Sequence, residues 1–95
     1  MAEYRLSNAA KDDLIRIHHF GVIKFGITQA DKYFNTFFNC FEIIAQNPLS
    51  FESVDYIKVG YRRCPCGSDS IYYRLNENTV EIMAIVGMQD LKNIL

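Results

Sequence analysis

The hydrophobic period of this chain changes once along its length, and that change limits the folds open to it. Up to about residue 47 the apolar side chains recur every three to four positions, whereas beyond residue 60 they alternate. The first spacing belongs to amphipathic helices and the second to half-buried strands. A short alternating run at the start, Tyr4 and Leu6 between Glu3 and Arg5, predicts a strand ahead of the helices. The chain has 95 residues, enough for one domain, taken as 1–95.

Helix boundaries are written in small residues. Ser7 stands where a side-chain oxygen can accept a free backbone N–H. Asp12 and Asp13 follow near the positive end of the helix dipole. Ala10, Leu14, Ile17, Gly21 and Phe25 fall on one face, and Gly26 closes the helix. Thr28 opens a second helix, with Asp31 three positions on as a weak capping box. Its buried face is Ala30, Phe34, Phe37, Phe41, Ile44 and Ala45, widened by Tyr33 and Phe38. Pro48 ends it by Asn47, because a residue before proline avoids helical geometry. The connection is short, so the two helices form an antiparallel hairpin.

Residues 48–59 read as an irregular connection. Strands follow at Tyr61–Cys64, Ile71–Leu75 and Val80–Val86, separated by turns at Cys66–Asp69 and Asn76–Thr79. Pro65 ends the first of these or lies on an edge. Val80, Ile82, Ala84 and Val86 are expected on one face, and Gly87 breaks the strand. The expected fold class is α+β in the order β-α-α-β-β-β, with the helical hairpin packed on an antiparallel sheet.

Composition excludes several function classes. A 49% hydrophobic and 22% charged chain is neither disordered nor low in complexity. A net charge of -1 argues against a strongly basic nucleic-acid binder, and direct sequence-specific nucleic-acid binding is not expected. Apolar runs are too short to span a membrane, and the first residues carry no charged-then-apolar signal, so a cytoplasmic protein is expected. The cysteine count is odd: Cys40, Cys64 and Cys66. Free, reduced thiols are expected, with no metal site, and no bond between Cys64 and Cys66, which share a strand face on either side of Pro65.

The chain has no phosphate-binding glycine loop, nucleophile elbow or metalloprotease motif, and no cofactor is implied. His18 and His19 read as ordinary helix residues. Between Lys58 and Arg74 lie four basic residues, Lys58, Arg62, Arg63 and Arg74, against one acid, Asp69. Tyr56, Tyr61, Tyr72 and Tyr73 interleave with them. Arginine with tyrosine suits a phosphate or a protein interface; equally, these arginines suit surface ion pairs with Glu81 and Asp69. Arg62 and Arg63 point to opposite faces of their strand.

From residue 3 to residue 91 the chain resembles the ParE toxins of the RelE/ParE superfamily, the toxic halves of bacterial type II toxin–antitoxin modules. The resemblance is carried in order by the run from Tyr4 to Leu14, the run from Phe25 to Tyr33, Ala45-Gln46-Asn47-Pro48, Gly60-Tyr61-Arg62-Arg63, Ile71-Tyr72-Tyr73-Arg74 and Val80-Glu81-Ile82. The chain departs from the family pattern at Asn8, Phe25 and Phe51. It also departs at Val86 and Met88, where histidine and arginine are frequent.

The resemblance implies a protein that inhibits DNA gyrase by binding it and is neutralised by a ParD-type antitoxin, with no catalytic residue. Val86 and Met88 can neither move a proton nor hold an anion, which argues against the alternative, a RelE-like ribosome-dependent mRNA endoribonuclease. A toxin fold that has lost toxicity is the third reading. Antitoxin binding is expected at Tyr33, Phe37, Phe38, Arg62, Arg63 and Arg74. Target binding is expected at Met88, Leu91, Ile94 and Leu95, an apolar set spaced roughly as one helical face.

Overall fold

The computed structural model describes residues 3–87. Strand β1 (Glu3–Leu6) runs into helix α1 (Asn8–Phe25), and helix α2 (Ile27–Gln46) follows after a single residue. Ser7 caps α1 as expected: its Oγ accepts the Ala10 N–H at 3.0 Å and donates to the Met83 carbonyl at 3.1 Å. Gly26 serves both helices. Its N–H bonds the Val22 carbonyl and its own carbonyl accepts the Ala30 N–H, each at 3.0 Å. Its φ of 89° and ψ of 163° belong to a region that only glycine enters without strain.

Three local expectations are corrected. The Thr28–Asp31 box does not form, because Asp31 turns to His18 across the hairpin. No acid lies in the first turn of α1, and Asp13 instead bonds the sheet. Phe25, expected on the buried face, is 63% exposed. Fifteen residues at 3.6 per turn leave it roughly 60° off the face that Ala10 begins.

The remaining strands are β2 (Glu52–Ser53), β3 (Tyr61–Cys66), β4 (Asp69–Asn76) and β5 (Thr79–Gly87). They form one sheet in the order β1-β5-β4-β3-β2. The sheet is mixed: β1 lies parallel to β5, and every other pair is antiparallel. The short β2 falls inside the stretch expected to be irregular. Pro65 lies within β3 opposite Ser70, on the edge beyond Arg62 and Arg63, where β2 no longer pairs. A residue without an N–H is tolerated there.

β1 pairs β5 only as far as Ile82, which leaves the far half of β5 as an open edge. Helix α1 covers it. Asp13 Oδ2 accepts the Ile85 N–H at 2.9 Å, and Arg16 donates to the Ile85 carbonyl at 3.3 Å. Ile85 pairs Ile71 of β4 on one side, and both of its backbone groups on the open side are thus satisfied by side chains.

A bulge divides β5. Tyr72 pairs Ala84 and Tyr73 pairs Ile82, so Met83 has no partner in β4. Alternation shifts by one there, correcting the expectation of a single face. Val80, Ile82 and Ile85 pack in the main core with Leu14, Phe37, Phe41, Ile44, Ile71 and Tyr73. Ala84 and Val86 turn to the other face and join a small second core with Val54, Tyr61 and Tyr72.

The expectation of three free thiols is corrected as well. Cys40 of α2 and Cys66 at the end of β3 form a disulfide across the helix–sheet interface, with Cα atoms 6.6 Å apart. Cys64 is free and buried. Spacing along the chain could not show this, because the two positions meet only through packing. A link between residues 26 apart contributes roughly 3–4 kcal/mol on a chain-entropy basis. Among the described residues no helix is long and apolar enough to cross a membrane.

Candidate functional site

A groove of about 530 Å³ opens between the helical hairpin and the turn joining β3 to β4. Its floor is where the two helices pass close together: a Cβ placed on Gly21 would lie 3.2 Å from that of Ala30. Ile17, Phe20, Phe25 and Phe34 supply apolar walls, while Arg16, Lys24 and Asp69 supply charge. Phe20 is 59% exposed, and its neighbours Ile23 and Ile27 are also open. Lys24 Nζ stands 5.5 Å from the Phe20 ring centre and 5.7 Å from that of Phe25. The apolar surface of the hairpin tip therefore adjoins positive charge.

Tyr33 ties the sheet side of this groove to α2. Its hydroxyl donates to Asp69 Oδ2 at 2.7 Å and accepts the Ser68 N–H at 2.9 Å. Burial, and then the Asp69 carboxylate, raise its pKa. Gly67 sits under the ring with φ of 61°, where any Cβ would come within 2.5 Å of it. On the other flank His18 Nε2 meets Asp31 Oδ1 at 2.7 Å and packs edge-on against Phe34.

The sheet face away from the helices carries a different chemistry. Arg63 donates to Ser70 Oγ at 3.0 Å and to Glu52 Oε1 at 2.8 Å. Arg74 and Arg5 both bind Glu81, at 2.7 and 3.0 Å. These bonds raise the pKa of Arg74 and lower that of Glu81. A pocket of about 170 Å³ lies between Arg63, Tyr72 and the 52–57 segment. Tyr72 is 1% exposed, and burial raises its phenol pKa although Arg63 opposes the shift.

Residues 4–91 match the family described as ParE toxin of type II toxin-antitoxin system, parDE. The chain is 35% identical over 86 residues to Toxin ParE1 of Caulobacter vibrioides, covering 90% of this chain and 88% of that one. It is 29% identical over 86 residues to Toxin ParE1 of Mycobacterium tuberculosis, with the same coverage. The chain belongs to the ParE toxin family. A solved structure titled "Chromosomal ParDE TA system from P. aeruginosa" shares its fold, with a TM-score of 0.82, 18% identity, and coverage of 92% of this chain and 96% of that one.

The site residues expected of this ParE toxin do not form one surface. Tyr33 and Phe38 are half-buried on α2, but Phe37 is fully buried, so it supports a surface from below and cannot present one. Arg62 donates to the Phe51 carbonyl at 2.7 Å on the helix side of the sheet. Arg63 and Arg74 lie on the opposite face, opposite Tyr72 and Tyr61 in register. The ion pair anticipated with Glu81 is present, while Asp69 is taken by Tyr33 and Glu52 serves Arg63. Met88, Leu91, Ile94 and Leu95 lie outside the described residues. Phe20 and Phe25 went unnoticed as surface residues. The available signal was that Ile15, Phe20 and Ile23 fall off the stripe begun by Ala10 and Leu14.

Proposed function

We propose that this ParE toxin acts by binding DNA gyrase rather than by catalysis, and that a ParD-type antitoxin neutralises it by occupying the hairpin groove. The observation carrying the antitoxin half is the apolar groove with exposed Phe20 and Phe25 and basic Arg16 and Lys24 beside them. Such a surface suits the apolar face of an amphipathic segment flanked by acids. The shared fold with a protein titled as part of a ParDE system supports a partner of this kind. Tyr33 lines the same groove, while Phe38, half-buried on α2, lies outside its lining. An antitoxin arm that wraps the domain would reach Arg62, Arg63 and Arg74 with acidic side chains.

Binding rather than cleavage is supported by the sheet face. Cleaving RNA needs a proton donor, a proton acceptor and a charge stabiliser in one pocket. Arg63 and Arg74 already hold Glu52 and Glu81, and burial raises the Tyr72 pKa, which makes that phenol a poorer proton donor. Gyrase contact is assigned to the apolar Met88, Leu91, Ile94 and Leu95. The toxin works in the cytoplasm, as one domain, where gyrase is found.

The test is induction in growing bacteria, followed by labelled-precursor incorporation. Early arrest of DNA synthesis with an SOS response, plus loss of supercoiling by purified gyrase on adding the toxin, is the expected result. Cleaved messenger RNA on ribosomes would support the ribonuclease reading instead, and unaffected growth would indicate lost toxicity. Rescue by the product of a neighbouring reading frame tests the antitoxin half separately.

A further inference from the structure

The Cys40–Cys66 disulfide joins α2 to the end of β3, beside the groove and outside its lining. Cys66 immediately precedes Gly67-Ser68-Asp69, the turn that Tyr33 holds, while Cys40 lies seven residues beyond Tyr33 on the same helix. The turn is therefore tied to α2 twice, once covalently and once through the Tyr33 hydroxyl. Cys66 is 3% exposed and Cys40 is half-buried, so Cys40 is the more open end of the link. The Cys66 sulfur lies 3.8 Å from the Thr36 carbonyl oxygen, within range of a weak S–H donor. A reduced Cys66 thus has an acceptor waiting. Cys64 is 4% exposed, closed off from a small thiol, and burial pushes its pKa up although Arg63 opposes the shift.

We propose that Cys40 and Cys66 form a thiol–disulfide exchange site, worked by a low-molecular-weight thiol and its disulfide, whose state sets how firmly α2 holds the β3–β4 turn. In a reducing compartment a protein disulfide is typically transient and redox-sensing. To open the site, a small thiolate attacks the Cys40 sulfur. Cys66 leaves as a thiolate and takes a proton. A second small thiolate attacks the small-molecule sulfur of the mixed disulfide, releasing Cys40, which is protonated in turn. Two protein thiols and one small disulfide result, a two-electron change. Closing is the reverse. The exchange needs neither antitoxin nor gyrase, so it stands or falls apart from the function proposed above.

The test uses the purified full chain equilibrated in reduced and oxidised glutathione at graded ratios, then acid-quenched, alkylated and analysed by mass. Cys40 and Cys66 should become alkylated together in one transition, while Cys64 is alkylated only after denaturation. Across the same transition Tm should fall by roughly 10–30 °C, and amide exchange at residues 67–69 should speed up. Cys40→Ser should abolish the redox dependence of Tm, and Cys66→Ser gives the same readout if the first variant does not fold. A link that survives every reducing ratio, one that never forms under oxidising ones, pairing through Cys64, or equal Tm in both states would overturn the proposal.

Discussion

Tyr72 and Tyr73 are adjacent in β4, yet each is buried in a different core. Tyr73 points toward the helices, and its hydroxyl donates to the Pro48 carbonyl at 2.6 Å. Tyr72 points the other way, into the cluster of Val54, Tyr61 and Val86. Both faces of the strand are dry, which explains why residues 70–73 of β4 are buried without alternation. The second core exists because the 54–57 segment folds over the outer face of the sheet, held by the Val54 N–H on the Tyr61 carbonyl at 2.9 Å.

Alkaline pH should unfold the protein through these phenols. Burial pushes the Tyr73 pKa from 10.0 up to about 12, and Tyr33 and Tyr72 are raised as well. A folded-state pKa above the unfolded one means the native state holds its proton more tightly. The resulting stability is complete below pH 10, declines above it and is lost as pH passes about 12. Melting curves from pH 8 upward, read beside phenolate absorbance, should show this fall. Tyr73→Phe should lower stability by about 1 kcal/mol at neutral pH through the lost bond to Pro48 and flatten the alkaline decline. An unchanged decline in that variant would exclude Tyr73 as its source.

Gly67 and Gly26 separate two reasons for a glycine. Both have positive φ, at 61° and 89°, but only Gly67 has a side chain in its way, the Tyr33 ring. Gly26→Ala meets nothing within 4 Å and should lose about 1–3 kcal/mol to backbone strain alone. Gly67→Ala must also displace Tyr33, breaking its bonds to Asp69 and Ser68. It should lose a further 1–3 kcal/mol or so. Chemical denaturation of the two variants side by side checks the order, and equal losses would mean that Tyr33 moves aside freely.

The parts of this fold legible in the sequence are those with a local cause. Ser7, Gly26 and Pro48 mark helix ends because capping and proline sterics act within a few residues. The strands after residue 60 follow from alternation. What was hidden depends on contacts distant in sequence. No glycine or proline marks the bulge at Met83, which is required only because β5 must face two cores. Cys40 and Cys66 meet only once α2 lies on β3. On α2 Phe37 and Phe41 are fully buried, as their spacing predicts, so Phe37, also expected at an antitoxin surface, is not open. The open apolar surface lies instead on α1, where Phe20 falls off the regular stripe and Phe25 has drifted about 60° from the face it was expected to share.

Substitutions on these phenylalanines should divide stability from partner binding. Phe37→Ala empties a fully buried position and should lose about 3–5 kcal/mol, close to unfolding a domain of this size. Phe25→Ala, at 63% exposure, should change stability by no more than about 0.5 kcal/mol. Paired with Phe20→Ala it should nonetheless weaken neutralisation by the antitoxin, measured as growth rescue on co-expression and as affinity by titration calorimetry. Full rescue with both phenylalanines removed would move the antitoxin site away from this groove.

Removal of residues 88–95 should separate folding from toxicity. Sheet pairing among the described residues is complete at Gly87, which lies opposite Asp69 at the end of β4. Among the described residues, the helices, both cores and the Cys40–Cys66 link are built from positions up to Val86. The removed segment carries Met88, Leu91, Ile94 and Leu95, apolar side chains with only Asp90 and Lys92 charged among them. If these residues serve the target, the shortened chain should melt within a few degrees of the full one, still bind antitoxin, and no longer arrest growth or inhibit supercoiling. A Tm lower by more than about 10 °C corresponds to a loss of roughly 1–2 kcal/mol for a domain this small. That loss, together with residual killing by the folded fraction, would assign the segment to stability instead.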